Sequence, residues 1–167
     1  MKHRAEIDGL RGIAVSAVVI SHTGIGVLTG GFFGVDVFFV LSGFLITQIL
    51  FKDLENRNFK FRHFYLRRTL RILPALLAML ILTTIWSWLF LIPSDLIDFS
   101  VSAFFTILFL ANAYFIDLTG YFAPQTELMP LLHTWSLAVE EQFYFVFPIL
   151  AFIGYKLGHA KGLFSII

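Results

Sequence analysis

The sequence predicts an all-α protein, a polytopic bundle of about five transmembrane helices within one domain of 167 residues. Hydrophobic residues make up 58% of the chain and charged ones 14%, where a soluble domain holds about half and about a quarter. The mean hydropathy is +0.84, and a chain this short exposes too much surface to hide that excess from water. Five segments reach the roughly 20 apolar residues needed to cross about 30 Å of hydrocarbon.

Those spans run over 10–28, 33–52, 71–92, 98–116 and 134–153. Gly30-Gly31 punctuates the first pair, and Pro93-Ser94-Asp95 separates the third from the fourth. The stretch 117–132, with Gly120, Pro124 and Pro130, is the one long polar loop. Met1-Lys2-His3-Arg4 looks like the start of a signal peptide, but Asp8, Arg11 and His22 interrupt the apolar run after it, so a retained first span is expected. No internal repeat or low-complexity linker occurs.

Some function classes recede at once. The net charge is +1, with no basic run interleaved with aromatics, so no nucleic-acid partner is expected. Without cysteine there is no disulfide frame, thiolate metal site or cysteine nucleophile.

Lysine and arginine set the expected orientation. Lys52, Arg57, Lys60, Arg62, Arg67, Arg68 and Arg71 lie between the second and third spans, and Lys2 and Arg4 precede the first. Both regions are therefore expected in the cytoplasm. Five crossings would put Lys156 and Lys161 outside, against the rule. Either 98–116 is re-entrant or interfacial, or two lysines are too weak a signal; the second reading is slightly preferred.

Four clusters carry the chemistry. Arg11 and His22 are eleven residues apart and share one helix face, about 16 Å apart along the axis. They are either headgroup and interfacial residues or one wall of a polar channel. Asp36 lies in the apolar run from Gly31 through Gly34 to Ser42-Gly43, where a charge is costly and faces a partner. A tight hairpin centred near residues 28–29 brings His22 and Asp36 to similar depth. The pair reads as a general base with its orienting carboxylate, or as a structural ion pair or helix cap.

Arg68 and Arg71 are three residues apart and point the same way. Their guanidiniums suit phosphate, or act as ordinary positive-inside anchors. Pro74 is expected in a first turn or at a kink. Finally, His133, Ser136, Glu140 and Tyr144 form one helical stripe beside Trp135, Glu141 and Gln142. At least one of the two adjacent carboxylates must face protein or a water-filled cavity, as a structural network or as a site. The spacing matches neither a nucleophile elbow nor a zinc motif, so no metal is expected.

Taken in order, these motifs resemble the acyltransferase 3 family of bacterial membrane-bound O-acyltransferases. The matching elements are Ile7-Asp8-Gly9-Leu10-Arg11-Gly12 with His22, the run Gly31 to Ile46, Arg68-x-x-Arg71, and His133 to Tyr144. The resemblance covers roughly residues 4–153 and implies an integral protein of the bacterial inner membrane. It implies transfer of an acyl group, usually acetyl, from cytoplasmic acetyl-CoA to a hydroxyl of an envelope carbohydrate. Arg68 and Arg71 would then hold coenzyme A phosphates, and Arg11 would line the path of the pantetheine arm. His22, oriented by Asp36, would be the base, or would carry a transient acyl group; Glu140, with Glu141, would support the site.

Family members carry about ten spans, whereas five are counted here. The resemblance is therefore to the N-terminal half of the domain, as a truncated chain, a gene fragment or one partner of a second chain that completes the bundle. These residues alone are expected to be inactive. The rival reading is a non-enzymatic membrane protein, such as a transporter half using the same charges as an ion path, or an inactive fragment.

Overall fold

The computed structural model describes residues 5–23, 30–118 and 129–158. They are predominantly helical, with no strand among them. Six helices follow in order: α1 (Ala5–His22), α2 (Phe33–Glu55), α3 (Phe61–Phe90), α4 (Pro93–Ile107), α5 (Ala111–Leu118) and α6 (Thr134–Lys156). They fall into two compact units, residues 1–57 and 58–167.

In the first unit α1 and α2 pair antiparallel. Two glycines of α2's N-terminal end make the pairing close. A Cβ on Gly31 would run into the Ala17 carbonyl oxygen and Ser21, and one on Gly34 into the Ala14 carbonyl oxygen and Val18. Backbones meet where side chains are absent, as small residues permit in membrane helix pairs. Helix α2 ends at Asn56, whose backbone and side-chain N–H groups both return to the Lys52 carbonyl, while Arg57 takes a left-handed φ of 54°.

The second unit opens with α3, whose 30 residues extend roughly 45 Å, beyond the about 30 Å of hydrocarbon. Its first ten residues carry Arg62, Arg67 and Arg68. Pro74 sits well inside this helix, not in its first turn. Leu91 and Ile92 are extended, and Pro93 opens α4 at a position where its missing N–H costs nothing. Leu76, Leu80, Phe99, Ala111, Phe115, Leu131 and Ala138 close into one buried cluster drawn from α3, α4, α5, α6 and the turn before α6. Gly158, at φ 74°, caps α6.

Aromatic side chains bridge α3 to α6. Phe61 meets Phe152 edge-on at 5.2 Å, and Tyr65 lies 5.7 Å from Phe145. The Tyr65 hydroxyl also donates to the Phe145 carbonyl at 2.8 Å. The two helices therefore run antiparallel, with the C-terminal end of α6 beside the basic N-terminal end of α3.

Three helices, α2, α3 and α6, are long and apolar enough to cross a membrane. The expected count of about five is not confirmed among the described residues, and the end of the first expected span, 24–28, lies outside them. The segment 98–116 is not one helix: it divides at Leu108–Leu110, where Phe109 adopts φ 54°. The 15 and 8 residues of α4 and α5 extend only roughly 22 Å and 12 Å, each short of the hydrocarbon thickness. Helix α1 has 18 residues but carries Glu6, Asp8 and Arg11, which confines its apolar stretch to the part after Arg11.

Candidate functional site

In the α1–α2 pair, the face of α2 turned to α1 bears Gly31, Gly34, Phe38 and Ser42. Arg11 crosses to it. Its guanidinium lies 4.6 Å from the centre of the Phe38 ring, and one N–H reaches the hydroxyl of buried Ser42 at 3.4 Å. Arg11 is half-buried, its charged end turned towards α2.

His22 closes α1. Its Nδ1 lies 2.8 Å from the Val18 carbonyl oxygen. A carbonyl can only accept, so Nδ1 carries the proton and Nε2 keeps its lone pair in the neutral ring. Ser21, whose hydroxyl also donates to Val18, sits 3.4 Å from the same Nδ1. The ring is exposed.

Asp36 does not meet His22. No hydrogen bond or ion pair joins them among the described residues, and the register explains why. The Ala17–Gly31 and Ala14–Gly34 contacts centre the pairing near position 24 instead of 28–29. Asp36 is consequently near the level of Gly12, roughly 15 Å along the axis from His22. It also lies about 160–200° around α2 from Gly34 and Phe38, on the side away from α1. The expected His22–Asp36 contact is thus not formed among the described residues, where the Val18 carbonyl holds the His22 Nδ1.

The second unit collects most of the remaining candidates. Arg68 of α3 is half-buried, its guanidinium 4.3 Å from the centre of the Tyr144 ring. Tyr144 is 3% exposed, and its hydroxyl donates to Glu140 one turn earlier on α6. Glu140 and Glu141 are both half-buried; the Oε1 of Glu141 is buried with no hydrogen-bond partner among the described residues. No salt bridge joins Arg68 to either carboxylate there, although both lie within electrostatic range. Arg71 is exposed.

The stripe divides by its contacts along α6. Ser136 donates to the carbonyl of His133, at the start of the helix, at 3.1 Å, while Glu140 and Tyr144 face Arg68. Beneath His133, Thr134 is buried and its hydroxyl contacts that of Thr106 at 3.0 Å, tying α6 to α4.

Sequence reasoning named Gln142 but gave it no task, and passed over Asn112, Phe38 and Tyr65. Gln142 and Asn112 exchange amide hydrogen bonds at 3.0 and 2.9 Å, and the second Gln142 N–H reaches the Phe109 carbonyl at 2.8 Å. An amide inside an apolar run was the available signal at both positions, because such a group must find a partner away from water.

A family model described as an acyltransferase domain matches residues 4–166. The chain belongs to that acyltransferase family. Among its relatives, the peptidoglycan O-acetyltransferase OatA of Listeria monocytogenes is 39% identical over 157 residues, which cover 93% of this chain and 25% of the relative. BcsY of Komagataeibacter xylinus, named as a candidate membrane-bound transacylase, is 39% identical over 90% of this chain and 38% of its own length. A candidate O-acetyltransferase of Staphylococcus aureus strain MW2 is 39% identical over 90% of this chain and 25% of its own length. The acyltransferase-family chain thus spans between a quarter and two-fifths of the length of these relatives. No solved structure is a significant match.

Proposed function

We propose that this chain forms part of a membrane O-acyltransferase that moves an acyl group, in the first instance acetyl, from a cytoplasmic coenzyme A thioester to a hydroxyl of an envelope carbohydrate. The observation that carries the reading is the committed tautomer of His22, whose Nε2 is left as a base in a chain of acyltransferase ancestry. In the step proposed, Nε2 takes the proton of the acceptor hydroxyl as its oxygen attacks the thioester carbonyl carbon. The carbon–sulfur bond breaks, the departing thiolate takes that proton back, and the imidazole ends neutral.

Arg68 and Arg71 are proposed to bind coenzyme A phosphates. Stacking on Tyr144 occupies only the flat face of Arg68 and leaves its in-plane N–H groups for a phosphate fork. Arg11 is proposed to line the approach of the pantetheine arm, and Glu140 to hold Tyr144.

The antiparallel pairing of α3 with α6 supports one orientation in the bacterial inner membrane. If α1, α2, α3 and α6 cross and α4–α5 does not, the N-terminus, the basic region 52–71 and Lys156 all lie on the cytoplasmic side. This removes the conflict that five crossings create. Because the chain spans a quarter of the length of the Listeria relative, the activity is proposed for the whole protein.

The test is expression of the whole coding sequence with His22 or with His22→Ala, then release and quantification of O-acetyl groups from envelope polysaccharide. Acetylation that needs His22 supports the reading. Equal acetylation in both strains removes His22 as the base, and acetylation in neither removes the envelope acceptor. Labelled acetyl-CoA supplied to inside-out vesicles tests the donor and its side.

A further inference from the structure

We infer that Tyr144 is a positioning residue for the acyl donor, holding Arg68 flat on its ring so that the guanidinium edge is presented to phosphate. The inference rests on the proposed role of Arg68.

Arginine on a helix surface samples many rotamers, and a flexible cation must be ordered at the moment it binds a phosphate. Here the ordering precedes the ligand. The Arg68 guanidinium lies 4.3 Å from the Tyr144 ring centre, against a ring that is 3% exposed and so cannot swing away. The ring is itself fixed at its far end, where its hydroxyl donates to Glu140. The hydrogen bond Tyr65 makes to the Phe145 carbonyl at 2.8 Å ties α3 to α6 beside the stack. A plain core tyrosine does not account for the cation stacked on its ring. Filling space between α3 and α6 requires an acceptor for the buried hydroxyl but no cation on the ring face. A salt bridge to Glu140 would have ordered Arg68 equally well, but at the expense of the N–H donors that a phosphate needs. A π-face orders the cation while leaving those donors in plane. Arg71, exposed one turn further on, has no such platform among the described residues.

The test uses the whole protein in vesicles, reading KM for acetyl-CoA and kcat separately. Tyr144→Leu is expected to raise KM on the order of three- to thirtyfold, with a smaller change in kcat. Tyr144→Phe keeps the ring and is expected to keep KM within about twofold. Fluorinated phenylalanines at position 144 weaken the π-face without changing its shape, so KM should climb with each added fluorine. That series stays informative even where the leucine variant fails to fold. A flat series, or equal KM for the leucine and phenylalanine variants, overturns the inference. If the unsubstituted protein transfers nothing from acetyl-CoA, it is the functional reading that fails; normal transfer with a flat series removes only the role of Tyr144.

Discussion

The side-chain amide of Gln142 on α6 donates to the backbone carbonyl of Phe109 at 2.8 Å, at the residue whose φ of 54° separates α4 from α5. A break in an apolar stretch frees backbone groups that lipid cannot satisfy, so a partner must come from protein. Gln142 supplies it, and its reciprocal pair with Asn112 fixes which end of the amide faces which group. Leu110 adds a backbone bond to the Phe105 carbonyl at 2.8 Å.

Gln142→Ala should therefore destabilise the protein by about 2–3 kcal/mol, since it strands the Phe109 carbonyl and Asn112 together. Asn112→Ala should cost less, because Phe109 keeps its donor. Thermal unfolding of the detergent-purified whole protein measures both. Equal melting temperatures for the two variants would show that the break is set by local backbone preference instead.

The glycines of α2 should differ sharply in tolerance. Gly34→Ala puts a methyl group into the Ala14 carbonyl oxygen, a clash no rotamer relieves, at a cost of about 1–3 kcal/mol. A methyl group added at Gly43 would meet nothing within 4 Å, so Gly43→Ala should be neutral or stabilise by up to about 1 kcal/mol. Yield of folded protein by size exclusion would expose the contrast, and similar losses at both sites would contradict the observed register.

Asp36→Asn is expected to leave the acid limb of the kcat/KM profile where it is, because Asp36 lies on the side of α2 away from α1 and His22 bonds Val18. A carboxylate that oriented the imidazole would shift that limb when neutralised. A clear downward shift on substitution would restore the dyad.

Arg11 leans on α2 through a ring and a long hydrogen bond, at 4.6 and 3.4 Å. Phe38→Ala should accordingly destabilise more than Ser42→Ala, the first by about 3 kcal/mol or more and the second by no more than about 1 kcal/mol. Denaturant titration of the whole protein ranks them, and the reverse order would mean that Ser42 carries the contact.

Much of this molecule is legible in its sequence. Apolar length alone announced α2, α3 and α6, because in lipid every backbone group must be satisfied within its own segment and a helix is the simplest way. The same logic flagged Arg11, Arg68, Glu140 and Glu141, since a charge in an apolar run needs a partner. What it could not name was the partner. Arg68 meets an aromatic ring some 76 residues later, and although Tyr144 fell on the candidate stripe, nothing in the sequence paired it with Arg68.

The helix count and the hairpin register were beyond the sequence for a related reason. Hydropathy over 98–116 is indifferent to whether one helix or two carry it; the break depends on a left-handed Phe109 held from α6 by Gln142. Likewise the distance of His22 and Asp36 from the turn said nothing of how closely Gly31 and Gly34 let the backbones approach, and that approach sets the register. Composition and spacing thus determined the helical membrane character and the residues carrying charge, while the family was legible through the resemblance of its motifs. Only tertiary packing decided which charges meet, because a hydrogen bond or a stacked ring depends on ångström-scale distances between segments far apart in the chain.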